Sequence, residues 1–245
     1  RQLPPGFTRE AEIERLSQAI QRVLRRRGSV LIPAFALGRT QEILALLALL
    51  IRAGKLRPQP IYIGGLSRVF TEIYDLEAHR THRQYPNLQF HDALNLEVLD
   101  QGQVENLKLT GGRLFVITAG MMSEHTASHN LALRMLEDEK QAIFFVGYAD
   151  PDTPGGRLKA AKPGEKFRFS PAVGEMKRLC EVEDFSLTAH ANREDLLDFV
   201  GEVEPRVVLL SHGEDDSRQW FADQIRARHP KMKVMQPKPG EVVEV

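Results

Sequence analysis

The first 28 residues have the hydrophobic spacing of an amphipathic helix. Thr8 stands at the start, Glu10 and Glu12 occupy the first turn, and Gly28 follows the last apolar position. A hydroxyl cap, early carboxylates and a terminal glycine are common helix boundaries, so we predict a helix between Thr8 and Gly28. Its apolar face recurs every three or four residues, at Ile13, Leu16, Ile20, Val23 and Leu24.

After this helix, short apolar runs alternate with helical patterns. A short, uninterrupted apolar run predicts a strand buried on both faces, and helices between such strands predict parallel pairing. The first three runs are each followed by a helical stretch. We therefore predict an α/β fold with a mainly parallel sheet and covering helices. The runs are Val30–Phe35, Pro60–Ile63, Leu114–Thr118 and Ala142–Val146.

Other parts of the chain are less regular. The polar segment 79–112 predicts a helix end, a loop and one short strand. The sequence pattern changes near Pro163, and this change predicts a domain boundary there. The last nine residues, 237–245, predict a turn followed by a closing strand.

The composition is that of a globular protein with a substantial core. The chain has 245 residues, of which 42% are hydrophobic. Its most apolar run, Leu44–Ile51, is much shorter than the roughly 20 residues that a membrane span needs, and it predicts a buried helix. The single cysteine, Cys180, excludes an intrachain disulfide and predicts packing beside a strand. A reducing, cytoplasmic location is the expectation that follows.

The overall charge is balanced, with 33 basic and 33 acidic residues. This balance gives no support to a nucleic-acid partner, which usually requires a basic surface. Such a partner would therefore need a locally basic groove. The run Arg25 to Arg27 favours a solvated helix end, where cations complement the helix dipole.

Four loops after predicted strands combine glycine with a hydroxyl group or an arginine. Glycine lets the backbone approach a ligand, and arginine grips phosphate oxygens with two N–H groups. Four such loops at one sheet edge suit an extended polyanion, although glycine-rich turns are also ordinary in α/β proteins. The candidate substrate-binding residues in these loops are Arg39, Ser67, Arg68, Ser123, Thr153 and Arg157.

Two histidines, His190 and His212, each follow a strand-like run and precede a helical one. The edge of an α/β sheet formed by the carboxyl ends of its strands is where ligands bind, and imidazole can act there as a metal ligand or a proton donor. The alternative is that both histidines are structural residues, whose imidazoles only form hydrogen bonds at the ends of the strands. A second pair, His125 and His129, has the four-residue spacing that can place two imidazoles on one helix face. That pair lacks the glutamate of a zinc-binding helix, so a metal or RNA contact is the less favoured interpretation.

Several segments resemble one known family in their order along the chain. They are residues 29–42 (SVLIPAFALGRTQE), 118–123 (TAGMMS), 147–158 (GYADPDTPGGRL), 184–197 (DFSLTAHANREDLL) and 207–214 (VVLLSHGE). These segments resemble the β-CASP branch of the metallo-β-lactamase nucleases, which includes the endonuclease subunit of the mRNA cleavage and polyadenylation machinery. The resemblance implies a Rossmann-like β-CASP domain over residues 1–163, with helices on both faces of its sheet. It also implies that residues 164–245 return to the metallo-β-lactamase fold.

The resemblance assigns chemistry to particular residues. It implies that His212 is a metal ligand of a two-zinc site and that His190 is catalytic, contacting the scissile phosphate and helping to protonate the leaving group. Thr188 stands where relatives have serine and is implied to contact substrate, whereas Asn192 replaces a frequent aspartate. The family's His-x-His-x-Asp-His loop is absent from this sequence. We therefore expect a fragment of a longer enzyme, inactive by itself because most metal ligands are missing.

The implied function is that of the substrate-binding part of a zinc-dependent ribonuclease acting on single-stranded RNA. A histidine at position 212 is typical of the RNA-acting members, since DNA-repair members usually carry valine there. The alternative is a non-catalytic RNA-binding or scaffold subunit of a processing complex. A homodimer is left open.

Overall fold

A computed structural model describes residues 3–187 and 189–244, with the side chain of Gln101 excepted. The chain divides into two compact units. The larger is Phe7–Ala189, and the smaller consists of Arg1–Gly6 with His190–Val245. The boundary predicted near Pro163 concerns the family's domains and stays a prediction.

The larger unit begins with the predicted amphipathic helix. Thr8 caps it by accepting a hydrogen bond from the Ala11 amide at 3.1 Å, and the helix ends at Arg25, which confirms the prediction from the sequence. The helices of this unit are α1 (Arg9–Arg25), α2 (Arg39–Arg52), α3 (Leu66–Leu76), α4 (Phe90–Ala93), α5 (Gln101–Val104), α6 (Ala127–Met135) and α7 (Pro154–Ala160). Its strands are β1 (Val30–Pro33), β2 (Ile61–Ile63), β3 (Leu96–Val98), β4 (Leu114–Ile117), β5 (Ala142–Phe145), β6 (Lys166–Arg168), β7 (Glu175–Lys177) and β8 (Glu181–Asp184).

Six of these strands form one parallel sheet, in the order β3-β2-β4-β1-β5-β8. Successive side chains of a strand point to opposite faces, so the side chains of each apolar strand pack into two hydrophobic cores, one on each face of the sheet. In β1, Val30 and Ile32 pack with α1 and α2, whereas Leu31 packs with α6 and α7. The predicted α/β fold, with a mainly parallel sheet and helices on both faces, is confirmed.

Several local predictions can be checked directly. The apolar run Leu44–Ile51 lies inside α2, as expected. Cys180 is 2% exposed, and burial raises the pKa of its thiol to about 12, which confirms a packing role. The polar segment 79–112 contains the predicted short strand, β3, together with the short helices α4 and α5, which were not predicted.

The smaller unit contains α8 (Arg193–Val203), β9 (Val207–Leu209), α9 (Asp215–Arg228) and β10 (Lys233–Met235). The two strands are parallel, and the small core consists of Leu197, Ala222, Ile225 and Val234. The predicted turn near the end forms around Gly240, but the closing strand is wrong for the described residues 241–244. Val242 in that segment is 94% exposed, so it packs on no surface of the described residues that could order it as a strand. In the described part of the chain, no helix is long and apolar enough to cross a membrane.

Candidate functional site

The four loops singled out from the sequence lie at the same edge of the large sheet. They follow the carboxyl ends of β2, β4, β1 and β5, which are consecutive neighbours in one parallel sheet. The carboxyl edge of such a sheet is the usual ligand-binding edge of α/β proteins. The tertiary structure therefore brings together segments that are as much as 120 residues apart in the sequence, from Gly38 to Leu158.

In the loop after β1, the Arg39 side chain is turned into the protein. It forms an ion pair with Glu42 and donates a hydrogen bond to the Val146 carbonyl oxygen at 2.6 Å. Only 15% of the side chain is exposed. Glu42 also pairs with Arg9, so one carboxylate holds two guanidinium groups. Arg39 thus ties the β1 loop to the end of β5.

In the loop after β2, Ser67 and Arg68 have different surroundings. Ser67 is fully buried, and its hydroxyl donates to the Gly64 carbonyl oxygen at 2.7 Å. A Cβ atom on residue 64 would lie only 2.3 Å from the Leu99 carbonyl oxygen, which explains the glycine. Arg68 is exposed and pairs with Glu72 at 3.0 Å. Ser67 therefore shapes the turn, whereas Arg68 faces solvent.

The loop after β4 presents Ser123 to solvent. The Ser123 carbonyl oxygen accepts a hydrogen bond from the Thr126 hydroxyl at 2.6 Å, and Thr126 caps α6. The Ser128 hydroxyl donates to the Ala119 carbonyl oxygen at 2.8 Å. These contacts order the backbone around Ser123 and leave its side chain at the surface.

The loop after β5 carries Thr153 and Arg157. The Thr153 hydroxyl donates to the Asp150 carbonyl oxygen at 2.6 Å and accepts from the Gly156 amide, so it is used as the cap of α7. Arg157 is half-buried, and its Nη2 atom donates to the Asp152 carbonyl oxygen at 2.9 Å. The Gly155 amide donates to the Met121 carbonyl oxygen at 3.0 Å, which connects this loop with the one after β4.

In the smaller unit, His190 is exposed and lies two residues before the cap of α8. That cap is Asn192, whose side-chain oxygen accepts from the Glu194 and Asp195 amides at 2.9 and 3.0 Å. The Asn192 amide group donates to Asp195 at 2.6 Å, so this side chain is committed to the helix end. Thr188 lies outside the described residues.

His212 lies in the turn between β9 and α9, with an exposed side chain. Its backbone φ of 58° falls in the left-handed region, which residues other than glycine seldom adopt. Conformations of this kind concentrate at functional sites, where the surrounding structure holds them. The geometry therefore presents this imidazole at the surface in a defined loop.

A zinc ion in a protein usually has about four ligands, and at least three of them come from protein side chains. Within residues 3–187 and 189–244, no group of three or more His, Cys, Asp or Glu side chains could hold a metal ion. The described residues therefore do not fit a complete zinc site, and His212 would be one ligand of an incomplete set.

The pair His125 and His129 does not share a helix face. His125 precedes α6 and has a φ of 64°, whereas His129 lies inside the helix and is 4% exposed. The His129 ring stacks on Phe169 with the ring centroids 5.0 Å apart, and its Nε2 atom is 3.2 Å from the Ser170 hydroxyl. The expectation of a common face is wrong, because the helix begins after His125.

The sequence did not reveal a cluster of charges between α1 and the edge strand β8. Arg22 pairs with both Glu181 and Glu183, and Arg26 also pairs with Glu181. Lys159 of α7 forms a second contact with the β8 region, to Asp184 at 2.8 Å. The alternation of Glu181 and Glu183 in a strand was the available signal, since these two residues lie on one face.

Two family models match the chain. Residues 40–158 match the Beta-Casp domain, and residues 175–237 match the Zn-dependent metallo-hydrolase RNA specificity domain. The two matches follow one another along the chain. They include three of the four sheet-edge loops in full, part of the fourth, and both His190 and His212.

Similar proteins come from archaea. RNase aCSPSF2 of Saccharolobus solfataricus is 30% identical over 238 residues, which cover 92% of this chain and 43% of that protein. Probable RNase MJ4 of Methanocaldococcus jannaschii is 30% identical over 206 residues, covering 81% and 44%. Transcription termination factor FttA of Lokiarchaeum is 28% identical over 223 residues, covering 85% and 34%. The chain spans less than half the length of these relatives. The sheet, its loops and the two consecutive domain matches together show that the chain belongs to the β-CASP family of metallo-β-lactamase-fold nucleases.

Proposed function

We propose that this chain is the RNA-binding part of a metal-dependent ribonuclease that hydrolyses phosphodiester bonds in single-stranded RNA. The observation that carries the proposal is the adjacency of the loops after β2, β4, β1 and β5 at one edge of a parallel sheet. Exposed arginine and hydroxyl groups on neighbouring loops suit a chain of phosphates better than a single small anion. The match to an RNA specificity domain and the relatives named as RNases support the same substrate.

The candidate residues have different roles in this proposal. Arg68, Ser123 and Arg157 contact the RNA backbone, because their side chains reach the surface. Arg39, Ser67 and Thr153 hold the loops in shape, because their polar groups already have partners inside the protein. The contact of Thr188 with substrate remains a prediction.

The two exposed histidines would carry the chemistry. His190 contacts the scissile phosphate and helps to protonate the leaving oxygen, and His212 is one ligand of a two-zinc site. Because one imidazole does not make a metal site, the proposal places the other ligands outside these 245 residues. The chain covers less than half of the length of each relative, which is consistent with a longer polypeptide of this kind. The chain alone would then be inactive. A cytoplasmic location and a homodimer remain predictions.

Cleavage by the longer polypeptide that contains this chain tests the proposal. We expect it to cut a labelled single-stranded RNA of 20 nucleotides and to leave the DNA of the same sequence intact. His212→Ala should abolish cleavage and reduce the zinc content, whereas His190→Ala should abolish cleavage and leave the zinc content unchanged. His229→Ala is the matched control, because His229 is the cap residue at the end of α9. Equal cleavage of DNA would contradict the RNA preference.

A non-catalytic RNA-binding or scaffold subunit is the alternative outcome of the same assay. Relatives named as transcription termination factors keep this alternative open. It would be favoured if the longer polypeptide bound the RNA but contained no zinc and cut nothing. His190 and His212 would then have no catalytic role.

A further inference from the structure

Two aromatic side chains are exposed on neighbouring loops of the sheet edge described above. Phe35 follows β1 and is 48% exposed, and Tyr148 follows β5 and is 65% exposed. The two strands pair directly in the sheet, so their loops are adjacent. Aromatic rings are among the largest apolar groups that folding removes from water. Two such rings left exposed at the ligand-binding edge of a sheet therefore indicate a surface that binds something.

The backbone beneath both rings is held by hydrogen bonds. The Thr40 amide and hydroxyl both donate to the Phe35 carbonyl oxygen, at 3.1 and 2.8 Å. The Arg39 side chain donates to the Val146 carbonyl oxygen at 2.6 Å, two residues before Tyr148. Because these loops are already ordered, little conformational entropy is lost when a ligand binds to the rings.

The Phe35 ring also lies against the loop after β4. A Cβ atom on residue 120 would lie 3.2 Å from the Phe35 amide nitrogen and 3.3 Å from Cδ2 of its ring. Glycine at position 120 lets the backbone of that loop approach the ring closely. Ser123, which the proposed function assigns to the RNA backbone, stands three residues further along the same loop. The loop after β4 thus supports the ring and carries a phosphate contact.

Charge at this edge is largely neutralised within the protein. Arg39 and Arg68 each form an ion pair with a glutamate of their own helix. The loop that carries Arg157 also carries Asp150 and Asp152. Cations that are already paired add little to the attraction for phosphates. RNA binding at this edge therefore needs contacts that do not depend on charge.

Stacking of bases on aromatic rings is such a contact. Every base has a flat face that can stack on phenylalanine or tyrosine, and this stacking adds affinity without any cation. In an RNA duplex the bases stack on one another and are not available to a side chain, whereas in a single strand they are. Exposed rings at an RNA-binding edge therefore select single strands.

We propose that Phe35 and Tyr148 each stack on one base of a single-stranded RNA whose phosphates contact the same sheet edge. The inference rests on the proposed function and deepens it. It adds base contacts to the phosphate contacts of Arg68, Ser123 and Arg157, and it gives the preference for single strands a physical source.

Fluorescence anisotropy of the 245-residue chain with two labelled ligands tests the stacking. One ligand is a uridylate oligonucleotide of about 15 nucleotides, and the other has the same ribose-phosphate backbone without bases. Phe35→Leu and Tyr148→Leu keep apolar bulk but remove the ring. We expect each to weaken binding of the uridylate ligand about fivefold and to change binding of the abasic ligand by less than about twofold.

Two further variants serve as controls. Arg68→Gln should weaken binding of both ligands by the same factor and lower the dependence of log Kd on log salt by about 0.7, because it removes one phosphate contact. Tyr85→Leu removes a ring that is 43% exposed in the segment between α3 and α4, away from the carboxyl ends of the strands. It should change Kd for either ligand by less than about twofold.

The outcomes separate the stacking from the proposed function. If Arg68→Gln weakens binding but the Phe35 and Tyr148 variants do not, the stacking is overturned and the RNA-binding function stands. If the two leucine variants weaken binding of the uridylate ligand alone while the longer polypeptide never cleaves RNA, the stacking stands and the ribonuclease does not. If the unmodified chain binds neither ligand, both the stacking and RNA binding by this chain are overturned.

Three other results would also overturn the stacking. Equal losses for the abasic ligand would show that the rings do not act through bases. An equal loss in Tyr85→Leu would show a general effect of exposed rings. Normal RNA binding by the leucine variants, with a lower melting temperature of the longer polypeptide, would show that another part of that polypeptide covers the two rings. Circular dichroism melting curves identify any variant that does not fold.

Discussion

The Nη2 atom of Arg39 donates a hydrogen bond to the Val146 carbonyl oxygen at 2.6 Å. This contact joins the start of α2 to the end of β5, which lie about 107 residues apart in the sequence. The same guanidinium pairs with Glu42, so its charge is satisfied within the protein. A residue that has the sequence context of a phosphate ligand therefore acts in the structure as a clamp between two loops.

The Arg39 clamp predicts a separation of stability from RNA binding. Arg39→Gln should lower the free energy of unfolding by about 1–3 kcal/mol, because the bond to Val146 and the pairing with Glu42 are largely buried. Arg68→Gln should cost less than about 0.5 kcal/mol, because its ion pair is exposed, but should weaken RNA binding more. Urea unfolding and fluorescence anisotropy measure the two effects. The reverse order in both measurements would contradict the assigned roles.

His129 is predicted to stabilise the fold and not to bind metal. His129→Ala should lower the free energy of unfolding by about 2–4 kcal/mol, because it removes a buried ring stacked on Phe169 and leaves a cavity. Ser170→Ala is the milder comparison and should cost about 1 kcal/mol, since it removes only the hydroxyl partner. Thermal or urea unfolding gives both values. A His129→Ala variant of the longer polypeptide that is stable but contains less zinc would show that the structural role is wrong.

The two glutamates of β8 have pKa shifts of opposite sign. Burial opposes the ionisation of Glu181, but hydrogen bonds from Arg22 and Arg26 outweigh it and hold the pKa of Glu181 below its usual value. Burial and the neighbouring Glu181 carboxylate raise the pKa of Glu183 above its usual value, despite Arg22. Ionised Glu181 therefore stabilises the fold above the unfolded-state pKa, and this contribution is lost as the pH falls through its folded pKa. For Glu183, the folded state binds more protons, so stability decreases as the pH rises through the window above the ordinary glutamate value.

These shifts predict opposite pH dependences for two glutamine variants. Glu181→Gln should be destabilising at pH 7, and the difference from the unmodified chain should shrink as the pH falls below about 4.5, the ordinary glutamate value. Glu183→Gln should gain stability relative to the unmodified chain as the pH rises above that value, because glutamine mimics the protonated form. Urea unfolding at intervals between pH 3.5 and pH 7, of about half a unit, measures both. Parallel curves for the two variants would exclude the opposite shifts.

Asn192 provides a test of the helix cap beside His190. Asn192→Ala should lower the free energy of unfolding of the unit by about 1 kcal/mol, because two amides of α8 lose their acceptor. Asn192→Asp should keep the cap and be neutral or slightly stabilising, since a negative charge is favoured at a helix start. Hydrogen exchange of the Glu194 and Asp195 amides reports the cap locally. Unchanged exchange in the alanine variant would mean that the cap contributes nothing.

Local patterns were sufficient to predict most of the secondary structure of this protein. Thr8, the early glutamates and the apolar spacing of α1 act within a few residues, so they specify the helix before any tertiary contact forms. In β1, β2, β4 and β5, consecutive residues are apolar, whereas a strand with one face in water has alternating apolar and polar residues. These uninterrupted runs therefore predict a parallel sheet that is buried on both faces. The strand predicted at the end of the chain failed, because a β-branched pattern such as that of Val242 orders a strand only when a partner is present.

The sequence by itself determined the fold class, the positions of the four glycine-containing loops and the two histidines that follow strands. Only the tertiary structure decided that β4 lies between β2 and β1, since strand order depends on pairings between distant segments. It also decided that Ser67 and His129 are buried while Arg68 and Arg157 keep surface access. The physical reason is that burial and hydrogen-bond partners depend on residues brought close by folding. Side-chain type and spacing alone leave a phosphate ligand and a structural clamp indistinguishable.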